Sequence, residues 1–151
     1  MKLAYSTYAL QTVEIFEAIE RVHALGYDGL ELNIGDNWPT APQKLDTDTR
    51  KRLRDAYVAA AFPAPVLMNL IGLCGKGEDR QAKEKALADS CQLAADLDFD
   101  GGRRVVTTTL GTNDGDWNTC RDRVAEALVP YARIATNHGV TLAIEAHVGQ
   151  E

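Results

Sequence analysis

The sequence contains no apolar run that approaches the roughly 20 residues needed to span a membrane, and so we expect no membrane partner. Residues 1–6 lack the long apolar segment of a signal peptide. Linker-like and low-complexity tracts are also missing from the sequence. The 151 residues are therefore predicted to form one domain, residues 1–151.

The chain has only three cysteines, Cys74, Cys91 and Cys120. They lie too far apart in sequence for a zinc knuckle, and an odd number argues against a disulfide framework. We expect them to be reduced thiols in a cytoplasmic protein.

Basic residues are in the minority, with 16 Lys and Arg against 22 Asp and Glu. The longest basic cluster, residues 50–54, lies beside Asp48 and Asp55 in a helical stretch, where a solvated helix face is the simplest interpretation. A negatively charged chain without a basic stripe is a poor ligand for nucleic acid. We therefore expect no nucleic-acid partner.

Strand-like and helix-like segments alternate along the chain. The predicted strands cover residues 2–7, 29–34, 65–71, 103–110 and 141–147. The predicted helices run from about 12 to 26, from 46 or 47 to 61, from 79 to 98, and from the end of the loop at 118 to about 138. Pro130 is expected to kink the last helix. Five strands and four helices without a hairpin signal predict an α/β fold with a parallel sheet.

Two folds use this alternation. A doubly wound, flavodoxin-like binding module would fit the length, and it predicts strand order 2-1-3-4-5 with a phosphate or nucleotide at the turn of residues 72–77. A partial (β/α)8 TIM barrel predicts order 1-2-3-4-5. The barrel is favoured because polar residues end four of the strands, and in a barrel all strand ends meet at one mouth. These residues are Ser6, Thr7, Glu31, Asn33, Asn69, Glu145 and His147.

Two pairs among these polar residues are spaced i, i+2, which places the members of each pair on one face of a strand. They are Glu31 with Asn33, and Glu145 with His147. A buried carboxylate is costly unless it is paired or binds something. A salt bridge to a neighbouring strand is the alternative interpretation of Glu31, whereas the imidazole beside Glu145 makes that pair more specific.

Two segments resemble those of the xylose isomerase-like TIM barrel superfamily, which includes the sugar phosphate isomerases and epimerases. Residues 139–149, Gly-Val-Thr-Leu-Ala-Ile-Glu-Ala-His-Val-Gly, resemble its fifth-strand motif. Residues 26–32, Gly-Tyr-Asp-Gly-Leu-Glu-Leu, are similar to its second-strand pattern. The resemblance implies aldose–ketose isomerisation or epimerisation of a small sugar or sugar phosphate. A sugar or polyol dehydratase on the same barrel is an alternative.

The resemblance also implies roles for individual residues. Glu145 would be a ligand of a divalent metal, Mn²⁺, Mg²⁺ or Co²⁺, and the catalytic group that moves a substrate proton. His147, Glu31, Asn33 and Asn69 would bind substrate. Trp38 and Trp117 are placed in loops above the same mouth, where packing is the simplest interpretation and stacking on a sugar is the alternative.

Only the N-terminal portion of the family's barrel is matched, and so the domain is expected to be truncated after its fifth strand. The other metal ligands of the family come from strands six to eight. The fragment alone is therefore expected to bind no metal and to be inactive. Its open barrel edges would favour self-association.

Overall fold

The computed structural model describes residues 1–75, 79–111 and 117–145, which form five strands and four helices. The strands are β1 (Ala4–Ser6), β2 (Gly29–Asn33), β3 (Leu67–Met68), β4 (Val105–Thr109) and β5 (Thr141–Glu145). The helices are α1 (Ile15–Ala24), α2 (Thr47–Ala59), α3 (Arg80–Asp96) and α4 (Trp117–Asn137). Short 3₁₀ turns cover Thr7–Ala9 and Pro42–Lys44.

The strands form one sheet in the order β1-β2-β3-β4-β5, and every neighbouring pair is parallel. Each strand therefore lies beside the next one in sequence, as in a barrel wall. The predicted order 1-2-3-4-5 is confirmed. The flavodoxin-like alternative is wrong, because it requires β1 to lie between β2 and β3.

Side chains alternate between two faces of this sheet. One face packs beneath the helices and carries apolar residues that are at most 3% exposed, namely Leu30, Leu32, Leu67 and Val106. The register pairs Leu32 with Leu67 and Leu67 with Val106, so this apolar row is continuous. The strand residues that alternate with these apolar ones point to the opposite face, which we call the inner face. It carries Ser6, Glu31, Asn33, Met68, Thr107, Thr109 and Glu145.

Helices α1, α2 and α3 begin at capping carboxylates. The Asp46 carboxylate accepts a hydrogen bond from the Thr49 amide at 2.8 Å, and Asp79 accepts one from the Gln81 amide at 3.1 Å. Helix α1 begins at Ile15 and not near residue 12 as predicted, because Glu14 accepts from the amides of the first helical turn. Helix α3 packs an apolar face into the core, since Leu87 and Cys91 are fully buried.

Strand β3 is much shorter than the predicted segment 65–71. The chain turns directly after it, because the Ile71 amide donates to the Asn69 carbonyl at 2.8 Å and to Thr108 Oγ1 at 3.1 Å.

Helix α4 continues through Pro130 to Asn137. No helix in the described ranges is long and apolar enough to cross a membrane.

A buried hydrogen bond in the core joins helix α2 to strand β2. Tyr57 of α2 is 1% exposed, and its hydroxyl donates to the Leu30 carbonyl at 3.0 Å. Burial raises the pKa of the Tyr57 hydroxyl, and the charge of Glu31 raises it further. The phenol therefore stays protonated and holds α2 against β2.

The buried row predicts a large effect of truncating Leu32, which is 0% exposed. Leu32→Ala should lower the free energy of unfolding by about 2–5 kcal/mol, because it removes buried methyl groups and leaves a cavity. Leu25→Ala is the matched control, since Leu25 is 74% exposed. It should change stability by less than about 0.5 kcal/mol. Urea denaturation followed by circular dichroism measures both, and equal losses would contradict the proposed core.

Candidate functional site

Asn33 ends β2 and is held from several sides. It is 2% exposed, and its amide donates to Thr7 Oγ1 at 2.7 Å. Its Oδ1 accepts from the Gly35 amide at 3.1 Å, and its carbonyl accepts from the Thr40 hydroxyl. Its Nδ2 contacts Met68 Sδ at 3.7 Å. These contacts give Asn33 one orientation at the C-terminal ends of β1, β2 and β3.

Asn69 follows β3 and is directed toward α3. Its Nδ2 donates to Ser90 Oγ at 3.0 Å, and the Ser90 hydroxyl donates to the Ala86 carbonyl at 2.7 Å. Asn69 Oδ1 and Asn33 Oδ1 lie 3.8 and 3.6 Å from the position that a Cβ would take on Gly35. The two amide oxygens therefore border the same small space, although Asn69 belongs to the helix side of the sheet.

A cavity of about 500 Å³ opens between the loops after β1, β2 and β3 and the first turns of α3. Its wall combines amides, aromatic rings and charged groups. The most informative lining residues are Tyr8, Asn33, Trp38, Asn69, Asp79 and Lys83. Its volume falls in the range of roughly 300–1,000 Å³ that is typical of small-molecule sites.

The aromatic part of this wall consists of Tyr8 and Trp38, whose ring centroids lie 6.0 Å apart at an interplanar angle of 32°. Trp38 follows β2 and Tyr8 follows β1, so tertiary folding brings them together. The sequence indicates Trp38 as a loop residue above the mouth, whereas Tyr8 carries no distinguishing signal in the sequence. Trp117 is the first residue of α4 and is 51% exposed.

Among the described residues, the inner face carries the carboxylates of Glu31 and Glu145. Glu31 is half-buried opposite Ser6, and Glu145 is exposed opposite Thr109. No lysine or arginine in the described residues forms an ion pair with Glu31, so the salt-bridge interpretation of this residue has no support there. Glu31 and Asn33 lie on the same face of β2, as their i, i+2 spacing predicts. His147 lies outside the described residues.

A divalent metal needs several ligating side chains close together. Within residues 1–75, 79–111 and 117–145, no group of three or more His, Cys, Asp or Glu side chains is arranged to hold one. Glu145 therefore does not belong to such a group within these ranges. The described residues do not form a complete metal site.

The cysteines do not add a nucleophile to the site. Cys74, Cys91 and Cys120 are free. Burial raises the pKa of the Cys91 thiol to about 11. Burial also raises the pKa of Cys74, against the opposing effect of the Lys83 charge. Both thiols are therefore protonated near neutral pH and are poor nucleophiles.

The hydrogen bond between Thr7 and Asn33 predicts a stability effect at the site itself. Thr7→Val keeps the shape but leaves the buried Asn33 amide without its acceptor, and it should lower the free energy of unfolding by about 1–3 kcal/mol. Thr7→Ser retains the hydroxyl and is the matched control. Denaturation curves and the Asn33 amide resonance report the change. Indistinguishable Val and Ser variants would show that this bond does not hold the site.

The family model of the xylose isomerase-like TIM barrel matches residues 19–151. No curated protein sequence matches the chain. Among solved structures, D-psicose 3-epimerase with D-tagatose from Clostridium cellulolyticum H10 has a TM-score of 0.72 at 18% identity, and the match covers 97% of this chain and 52% of that one. L-ribulose 3-epimerase has a TM-score of 0.66 at 21% identity, with 95% and 49% covered.

A third match is a xylose isomerase-like TIM barrel protein from Mycobacterium smegmatis in complex with magnesium. Its TM-score is 0.67 at 14% identity, with 97% of this chain and 55% of that chain covered. The chain thus spans about half the length of these structures, and at such identities the likeness concerns the fold. By its family match and strand order, the chain belongs to the xylose isomerase-like TIM barrel family.

Proposed function

We propose that this chain contributes five strands to a barrel enzyme that isomerises or epimerises a small sugar or sugar phosphate with the help of a divalent metal. The observation that carries the proposal is the placement of Glu31, Asn33 and Glu145 on the inner face of a parallel sheet in order 1-2-3-4-5. In a barrel this face and these strand ends surround the active site. Similarity to two 3-epimerases and a magnesium-bound barrel supports the same reaction class.

Glu145 is the proposed catalytic base. In epimerisation, a carboxylate removes the proton from a carbon next to the substrate carbonyl, and the electron pair of that C–H bond forms an enediolate. A second acid, from outside the described residues, would then protonate the opposite face of the carbon, which regenerates the carbonyl and gives the epimer, while Glu145 passes its proton to solvent. Glu145 suits this task because it ends β5 on the inner face and is exposed.

The metal would be Mn²⁺, Mg²⁺ or Co²⁺, and when bound it would stabilise negative charge on substrate oxygens. Glu145 is the proposed ligand from the described residues, and the remaining ligands would come from outside them. Glu31 and Asn33 would bind substrate hydroxyls at the end of β2. Asn69 would do so from the cavity wall, and His147 is proposed to do so beside Glu145.

The aromatic pair gives the substrate site an apolar side. Tyr8 and Trp38 line the cavity together. Aromatic rings are common in small-molecule pockets, where they add contact area beside a few polar groups. We therefore assign Trp38 to stacking on the sugar and Tyr8 to supporting that ring.

The other predictions about this chain stay predictions, namely a cytoplasmic location, no nucleic-acid partner and self-association through open barrel edges. The dehydratase alternative uses the same sheet face. It would release water and form a dicarbonyl or enol product, and so product analysis separates it from isomerisation.

Exchange of Glu145 for glutamine tests the proposed base. Glu145→Gln should lower turnover of ketopentoses and ketohexoses, with and without a phosphate, by about 10²–10⁴-fold, because the amide cannot accept the proton. Glu126→Gln is the matched control, since Glu126 is exposed on α4 and undergoes the same chemical change. Solvent deuterium exchange into recovered substrate measures proton removal directly.

The assay compares the 151-residue chain with the same chain extended through any codons that follow its last residue. We expect no turnover from the shorter form, because its described residues hold no complete metal site. Chelation should abolish turnover of the extended form, and Mn²⁺, Mg²⁺ or Co²⁺ should restore it. Full activity of Glu145→Gln, or activity that survives chelation, would refute the proposal.

A further inference from the structure

Lys83 is a buried cation in the wall of the cavity. It lies in the first turn of α3, is 4% exposed, and lines the cavity together with Asn33 and Asn69. Its Nζ donates to the Gly72 carbonyl at 2.9 Å and to the Gly75 carbonyl at 2.7 Å. The side chain therefore bridges α3 and the loop that follows β3.

The charge of this lysine has no carboxylate partner within residues 1–75, 79–111 and 117–145. An ammonium group has three donors, and Gly72 and Gly75 accept from two of them. In the part of the chain that the structure describes, Lys83 forms no ion pair and no third hydrogen bond. Carbonyl dipoles compensate a buried charge only in part, and an uncompensated buried charge is costly.

The two acidic residues of the cavity wall do not supply that compensation. Asp36 is exposed, and its Oδ1 accepts from Gln43 Nε2 at 3.1 Å. Asp79 is also exposed, and its Oδ1 accepts from the Gln81 amide at 3.1 Å as the cap of α3. Neither carboxylate is within ion-pair distance of the Lys83 ammonium.

The position of Lys83 in the helix adds to the cost. The N-terminus of a helix carries partial positive charge, and a cation in the first turn is disfavoured there. Arg80 occupies the same turn, but its guanidinium pairs with Glu84 at 2.8 Å. Lys83 has no such pair within the described ranges. An anion in the cavity would satisfy the third donor, balance the ammonium and interact favourably with the helix.

We propose that this cavity binds the phosphate group of a phosphorylated sugar, with Lys83 as its cationic contact. Lysine is a frequent phosphate ligand that acts as a point charge. The volume of about 500 Å³ leaves room for the sugar, and Asn33, Asn69 and Trp38 line the same space. The assignment to a sugar substrate rests on the proposed function, whereas binding of phosphate itself does not.

Phosphate binding can be measured on the 151-residue chain without turnover. Inorganic phosphate, ribose 5-phosphate, ribose and gluconate are titrated separately at constant ionic strength, followed by amide chemical shifts. We expect saturable shifts with the two phosphates, centred on Gly72, Gly75 and residues 79–86. Ribose and gluconate should bind at least about tenfold more weakly, since one has no charge and the other carries a carboxylate.

Three variants separate the cavity from general surface charge. Lys83→Met should weaken phosphate binding by about tenfold to a hundredfold, because it removes a charge-assisted hydrogen bond. Lys83→Arg should retain most of the affinity. Lys85→Met is the matched control, since Lys85 lies on the same helix but is exposed and paired with Asp89. It should bind phosphate like the unaltered chain.

Phosphate binding itself is measured by amide chemical shifts of the unaltered chain, so the proposal can be overturned even if a variant does not fold. Shifts confined to the basic cluster of residues 50–54, or equal losses in the Lys83→Met and Lys85→Met variants, would overturn the proposal. Stronger binding of gluconate than of ribose 5-phosphate would overturn the assignment to phosphate. Glu145→Gln should bind phosphate normally, so failure of the proposed catalysis and failure of this site are distinguishable.

Discussion

Leu32 and Leu67 face each other across β2 and β3 and are fully buried beneath the helices. This contact determines which side of every strand points toward the helices, since side chains alternate and parallel partners share a face. With the leucines on the helix side, Glu31, Asn33 and Glu145 must lie on the inner face. A slip of one residue would bury a carboxylate in the core and expose the leucines, which makes the register strongly favoured.

The loop after β3 gives the candidate site its shape. The amides of Leu73 and Cys74 donate to the carbonyls of Thr109 and Leu110, so this loop is attached to the end of β4. Gly111 has φ +82°, and a Cβ there would lie 2.9 Å from Gly75 Cα. Only glycine allows this approach. The same loop presents its carbonyls to Lys83, so packing of two loops positions the cation of the cavity.

The proposed sugar chemistry and the proposed phosphate contact belong to different parts of one strand-end surface. Glu145 lies at one edge of the sheet, on β5, and the cavity lies at β2, β3 and α3. In a barrel these strand ends face a common mouth. If Lys83 holds the phosphate of a substrate, groups on other strands would act on the reactive carbons of that substrate. This division assigns binding and proton transfer to separate residues.

The sequence by itself determined the alternation of strands and helices, the family, and the common face of Glu31 and Asn33, because these depend on local periodicity and on motifs within single segments. It also indicated Asn69 as a polar group at a strand end. Only the tertiary structure decided that Asn69 turns toward Ser90 of α3 and that Tyr8 meets Trp38. It also decided that Lys83 is buried with no carboxylate partner among the residues that the structure describes. Each of these depends on residues distant in sequence, whose meeting is set by how helices and loops pack over the sheet.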